Sequence, residues 1–499
     1  MKQQKRLQRK WFLCTLGVFV FLSACANMPK GGAKRDAPLL SDDVEIALGR
    51  EVSGDILHQL GKYDDDVLQG YIQRIGEQVA RYSDQPNLIF HFWVVDTDEV
   101  NAFSLPGGYV YVSRGLLAYL NSEADVAAVL AHEIAHVSAH HAIKQRALLA
   151  RPDPKTGFAV GSIFLPALTS QQARDFFALL GDFFIRGYGR DFELEAYRLG
   201  AEYLAKAGYD PAQMLTLVTL LKQQEAVESR YALADSREPN VYHGVFTAAP
   251  SHDVRLQEAI GKATQVATYA NTSNFIDAAR FFESIDGLVF GDSAVAGVRR
   301  GRSFYQPEHG YTMTFPQGWR IQNHGERVVA FPLRKDAYLE LSVRDRGAIA
   351  APGDFAKAQL ELENVTGEKT SLVSGLSTFS ATARMRTAFG HQNARVSVIF
   401  LGDKAIVVVA AARSDALMAR YAQDCDDAVV SFHAISDDEK KLAKPAKLKV
   451  VVANDKTRFE SLAEKAPNPP RAAELLRLLN QLYPSGQPSP GMKLKTIEQ

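Results

Sequence analysis

The stretch Glu123–His136 (EADVAAVLAHEIAH) constrains this chain more than any other. Val126, Ala127, Val129 and Leu130 make it strongly apolar, and Ser122 with Asp125 three residues on gives it a capping-box-like start. The pattern predicts a long helix from Ser122 through about Leu149. A helix this apolar has to be buried, and His132, Glu133 and His136 are buried with it. Polar groups in such a place need partners, because each one left unsatisfied costs on the order of 1–3 kcal/mol. The two histidines stand four residues apart and share one helix face, so both imidazoles can reach one metal ion. A tetrahedral zinc site that keeps a position open for water needs a third protein ligand. Glu133, beside the first histidine, is placed to take a proton from an attacking water and pass it to a leaving amine.

The rest of the chain is long enough for further units. At roughly 100–200 residues per domain, 499 residues make two to four domains. From Ser41, Val44, Leu48, Val52, Ile56 and Leu60 recur at helical spacing, and a second helix is expected near Val67–Ser83. Ile89–Val95 and Tyr109–Ser113 read as strands on either side of the turn-rich Asn101–Gly108, and a helix from Arg190 to Ala207 ends at Gly208. Around Gly287–Arg302 the composition shifts, and beyond it the periodicity becomes two. Strands are expected at Tyr311–Phe315, Trp319–Gln322, Val328–Phe331, Tyr338–Val343, Ala383–Ala388, Arg395–Leu401 and Ile406–Ala411. Helices fit near Gly353–Glu363 and Asp415–Val430, which makes residues 302–437 an antiparallel α+β domain. After a Lys-rich linker, residues 447–499 read as strand, two helices and a closing strand at Pro490–Lys495.

The N-terminus reads as an address. Residues 1–24 pair a basic start with the short apolar run Trp11–Leu22, the pattern of a signal peptide. The run ends Leu22-Ser23-Ala24-Cys25, which looks like a bacterial lipobox with Cys25 as the lipidation site. Ala26 then favours sorting to the outer membrane of a Gram-negative cell, and residues 25–40 read as a tether. Cys14 would leave with the signal and Cys25 would be acylated. Cys425 alone remains, so no intramolecular disulfide is expected, and Cys425 reads as a passive helix thiol. Removing Lys2, Lys5, Arg6, Arg9 and Lys10 from the 57 basic residues leaves 52 against 57 acidic ones, which argues against a nucleic-acid partner. No segment has the roughly 18 apolar residues of a membrane span. The short apolar stretch Phe158–Leu168 reads as a loop.

Three ordered segments, Asn101–Leu117, Glu123–His136 and Arg190–Pro211 (RDFELEAYRLGAEYLAKAGYDP), resemble the zinc metallopeptidases that include HtpX, the CAAX prenyl endopeptidases and BepA. The BepA-like periplasmic or lipoprotein branch is nearest. The likeness extends through Ile285–Asp292 and Gly301–Phe304. It implies a mainly α-helical (α+β) gluzincin-type peptidase domain over residues 41–287, with one Zn2+ per chain. It also implies that Tyr109–Ser113 forms an edge where a peptide can add as a strand. Helix phase alone does not choose among Glu193, Glu195 and Glu202 as the third ligand; the resemblance assigns it to Glu193 and makes Glu195 a non-ligand. Two positions depart from the family pattern. Tyr197 stands where Asp is usual, and Ala249 where His precedes Pro250. Tyr197 and His252 are therefore the candidates to orient a ligand or to serve the oxyanion. His140 is about 12 Å along the helix from His132, and both His140 and His141 read as structural or surface groups.

The tail, from about Lys447, resembles a degenerate LysM module, which implies contact with peptidoglycan. The expected function is a lipid-anchored zinc endopeptidase at the periplasmic face of the outer membrane, acting on unfolded or misassembled envelope proteins. The alternative is a proteolytically weak or inactive chaperone or peptidoglycan-binding scaffold with a structural zinc site.

Overall fold

The computed structural model describes residues 41–149, 188–234, 278–323, 327–466 and 469–499, with single helical positions at 257 and 261. Cys25, the tether, the stretch Phe158–Leu168 and His252 lie outside these residues.

Helices α1 (Asp42–Leu60) and α2 (Asp66–Ala80) precede a small sheet of β1 (His91–Val95), β2 (Ala102–Leu105) and β3 (Tyr109–Ser113). The strand order is β1-β3-β2, with β1 parallel and β2 antiparallel to β3. This corrects one expectation: Tyr109–Ser113 is the central strand, buried at every position, and β2 forms the edge. The β2–β3 turn needs its glycines. Gly107 and Gly108 have φ of 78° and 94°, and a Cβ on Gly107 would lie 2.5 Å from the Ile46 backbone.

Helix α3 (Glu123–Ser138) carries the His-Glu-His run and is buried along its whole length. Ser122 Oγ accepts the Asp125 amide, while the Asp125 carboxylate accepts from the Asn121 amide. The predicted helix does not run on to Leu149. His140 takes φ 55°, the chain turns, and α4 (His141–Leu149) starts in a new direction. The break swings His141 back toward α3. Across α3 lies α5 (Arg190–Lys206), in such close contact that a Cβ on Gly200 would sit 3.2 Å from the Ala131 backbone. Helices α6 (Gln213–Ala234) and α7 (Ala278–Ile285) complete this layer.

Strand β4 (Val289–Phe290) leads out of the helical unit. A four-stranded sheet follows, built from β5 (Val298–Arg300), β6 (Ser303–Gln306), β7 (Tyr311–Thr314) and the later β15 (His433–Ala434). Beside it stands a seven-stranded antiparallel sheet. Its strands are β8 (Arg320–Asn323), β9 (Arg327–Phe331), β10 (Ala337–Asp345), β11 (Glu363–Val373), β12 (Leu376–Thr387), β13 (Gly390–Leu401) and β14 (Lys404–Ala412). They lie in the order β11-β12-β13-β14-β10-β9-β8. Helix α8 (Pro352–Gln359) packs on one face and α9 (Asp415–Val430), with the free and buried Cys425, on the other. After the short α10 (Asp437–Leu442), the tail forms β16 (Ala446–Val452), α11 (Phe459–Ala463), α12 (Pro469–Leu479) and β17 (Lys493–Glu498).

The tail and the peptidase helices share one hydrophobic core. Leu448, Phe459, Leu476, Leu479, Leu494 and Ile497 are in the same cluster as Leu68, Ile72, Val126 and Leu130. Strand β16 pairs with both β17 and β4. Lys495, fully buried, donates to the carbonyls of Ala118 (2.7 Å) and Leu120 (2.6 Å), just before the α3 cap. Burial drives its amine well below the ordinary lysine range. Two arginines tie β4 and β5 to the small sheet. Arg114 binds Asp96 and the Val289 and Gly291 carbonyls, and Arg299 bridges Asp292 and Asp98, each at 2.6 Å.

Candidate metal centre

Helix α3 sets two ligand atoms by its own geometry. His132 and His136 lie one turn apart, and their Nε2 atoms are 3.1 Å from each other. Helix α5 brings the third. Glu193 Oε2 lies 3.3 Å from His132 Nε2 and 3.7 Å from His136 Nε2. All three side chains are buried, and among the described residues they are the one group of three or more His, Cys, Asp or Glu whose ligand atoms converge in this way. Ligand atoms about 2.0–2.1 Å from a tetrahedral zinc stand about 3.3 Å apart, so the spacing suits that ion. The polar accounting agrees. Glu193 Oε2 has no hydrogen-bond partner among the described residues, although it is buried. Two ring nitrogens and a carboxylate oxygen facing one point are held together best by a cation.

The Glu193 carboxyl is oriented from its other oxygen, where Oε1 accepts the Tyr188 amide at 3.0 Å. Burial pushes its pKa up, but His136 and His132 beside it prevail and hold it well below the usual carboxylate range. Glu195, two residues on, points elsewhere: its Oε2 lies 3.3 Å from His141 Nε2.

Glu133 sits beside His132 and is equally buried, and Ser104 Oγ on β2 donates to its Oε2 at 3.0 Å. Sequence reasoning did not single out Ser104 and did not bring His141 to the metal centre. Ser104 lies within Asn101–Leu117, but nothing in the sequence shows that it faces the helix that carries Glu133. His141, read as structural or surface, is fully buried, with Nδ1 2.9 Å from His136 Nδ1. Only the break at His140 makes that contact, and a continuous helix would have carried His141 away. Tyr197 meets His132 through its ring, with centroids 4.1 Å apart, and Tyr188 stacks on His136 at 4.2 Å. His140 points the other way, to Glu45 Oε1 at 2.9 Å.

A buried helix with two histidines, a glutamate from a second helix and a sheet edge alongside form an arrangement of the kind a metallopeptidase needs. Residues 66–263, about two fifths of the chain, match the model of Peptidase family M48. The chain is 30% identical over 240 residues to the β-barrel assembly-enhancing protease of Yersinia pestis, an alignment spanning 47% of each chain. It is 32% identical over 209 residues to the protein of that name from Escherichia coli, spanning 41% of this chain and 40% of that one. It is 38% identical over 133 residues to the bovine mitochondrial metalloendopeptidase OMA1, spanning 25% and 24%. The matched region thus spans about half the length, or less, of these relatives.

Proposed function

We propose that this chain is a zinc endopeptidase, with one ion held by His132, His136 and Glu193 and with Glu133 as general base. The convergence of three buried ligand atoms beside a buried, oriented glutamate carries this reading. Bound zinc supplies Lewis-acid activation of water and of the scissile carbonyl. Glu133 takes the proton from the attacking water and returns it to the leaving amine, while Ser104 keeps the carboxylate pointed at that water. Strand β2 pairs only with β3 among the described strands, so an extended substrate can pair along Ala102–Leu105, next to Glu133.

The substrates we assign are unfolded or misassembled envelope proteins, β-barrel proteins foremost. The reading rests on relatives named for enhancing β-barrel assembly. With the lipobox at Cys25 and Ala26 after it, the chain works tethered by lipid at the periplasmic face of the outer membrane. No described helix is long and apolar enough to cross a membrane. The strand–helix–helix–strand tail extends the reading to peptidoglycan, with the exposed Asn454, Asp455, Lys456 and Arg458 as its outward loop. A second reading, a chaperone-like scaffold with structural zinc, is favoured by one observation: among the described residues nothing hydrogen-bonds His132 Nδ1.

Glu133→Gln tests the enzyme reading. Zinc content should stay near normal while cleavage of unfolded casein falls at least about 100-fold. The same variant, expressed in cells, should retain substrates for identification by mass spectrometry. A zinc-loaded wild-type protein that cleaves nothing would favour the scaffold. Mature protein recovered in the soluble periplasm with a free N-terminus would sink the lipid anchor.

A further inference from the structure

The two histidines of the metal centre are supported unequally. A histidine that presents Nε2 to a metal carries its proton on Nδ1, and the partner of that proton fixes the ring. His132 Nδ1 has no such partner among the described residues, and its ring is held by packing against Tyr197. His136 Nδ1 faces His141 Nδ1 at 2.9 Å, and His141 Nε2 faces Glu195 Oε2 at 3.3 Å. These contacts admit one consistent proton arrangement. If His136 Nδ1 donates to His141 Nδ1, the His141 proton must sit on Nε2, where the Glu195 carboxylate accepts it. His141 is fully buried and boxed by rings, with Phe192 at 4.7 Å and His136 at 5.0 Å between centroids. It is therefore held in place to serve as a link.

We propose that Glu195 and His141 form a hydrogen-bonded relay that fixes the tautomer and orientation of His136, making it the better-supported of the two histidine ligands. Both are positioning residues that act through His136, and Glu195 does so from a partly exposed position, 42% accessible at its side chain. The relay works through tautomer and ring orientation, and it needs no change of charge.

The proposal rests on the zinc-site reading, and its test separates the two. Zinc affinity of the purified full chain is measured by competition with a fluorescent chelator, and the zinc-induced rise in melting temperature is recorded beside it. Glu195→Ala should weaken zinc binding by about 10- to 100-fold. It should leave the melting temperature of the zinc-free protein nearly unmoved, because Glu195 stands at the surface. Glu195→Gln keeps an acceptor oxygen and should recover most of the affinity. His141→Ala should weaken zinc as much as Glu195→Ala or more. The double variant should be no worse than His141→Ala alone, because a chain cut once cannot be cut again. If His141→Ala fails to fold, the Glu195→Ala and Glu195→Gln pair still decides. Equal zinc affinity in wild type and Glu195→Ala overturns the relay and leaves the zinc site standing. So does loss of zinc-free stability in Glu195→Ala that matches its whole loss of affinity. A wild-type chain that binds no zinc overturns both.

Discussion

Ser104 and Glu133 come from different elements and meet only in the fold, across 3.0 Å in a buried place. A hydroxyl hydrogen bond to a buried carboxylate is worth on the order of 1.5–3 kcal/mol. Part of that is spent on aiming Glu133 rather than on binding substrate. Ser104→Ala should therefore keep its zinc and its KM while kcat falls roughly 10-fold, a smaller loss than that of Glu133→Gln. A rise in KM at constant kcat would place Ser104 on the substrate instead. At this scale the local motif was legible, because two histidines one turn apart on an apolar helix have few other uses. Glu193 was not legible from its helix alone, since Glu195 and Glu202 compete with it there. The contact of His141 with His136 was not legible because its position depends on one residue, His140, adopting a left-handed conformation inside an otherwise helical pattern.

Helix α5 delivers Glu193 to α3 because Gly200 lets the two helices close against each other. A valine at 200 would drive its branches into the Ala131 backbone and the Met214 side chain. Overpacking of this kind costs about 1–3 kcal/mol, and here it would also move Glu193 away from His132. Gly200→Val should lower the melting temperature and lose zinc together. If zinc affinity stays unchanged in a destabilised protein, α5 has tilted without moving its first turn. Helix α1 is held to the far end of α3 by Glu45 and His140, with Nδ1 and Oε1 2.9 Å apart. The hydrogen bond to Glu45 raises the His140 pKa, against the opposing effect of burial. A histidine with a raised folded pKa adds stability that is fully present below its unfolded value, about 6.5. That stability is lost as pH climbs through the folded value. The melting-temperature gap between wild type and Glu45→Gln should thus be widest below about pH 6.5 and close at alkaline pH. A gap constant across that range would mean the pair contributes no charge. The helices and the alternating strands of this chain were readable because their apolar positions repeat with the right period. Strand β11 was not, because it is an edge whose residues, Glu363, Asn364, Thr366, Glu368 and Lys369 among them, are mostly exposed and polar. The predicted helix near Gly353–Glu363 ends at Gln359 for the same reason: the chain turns at Glu361, with φ 49°, to begin that edge.

At the scale of the whole molecule, the last fifty residues read from sequence as a separate small module, since strand, helix, helix and strand complete a unit on paper. What the sequence could not reveal is where the apolar faces of that unit point. Leu448, Phe459, Leu476, Leu479 and Leu494 are almost wholly buried in the same cluster as α2 and α3, and Lys495 holds the carbonyls of the segment entering α3. Burying a leucine or phenylalanine side chain contributes about 1.5–3 kcal/mol. Five of them together rival the 5–15 kcal/mol by which a whole domain is typically stable. The tail is thus expected to be part of what keeps the active helix folded, whatever its outer face binds. A chain ending at Lys444 should then be insoluble, or should unfold well below the full-length melting temperature without binding zinc. An independent module would behave otherwise, and the truncated chain would keep its zinc, its cooperative transition and its cleavage of casein. In the full chain the same coupling should appear as one unfolding transition, seen together by the release of zinc and by the solvent exposure of Tyr483, a half-buried tail residue packed against that shared core, in a form labelled at that tyrosine alone. Two separated transitions, with zinc retained through the first, would show that the shared core contributes less than its buried side chains imply.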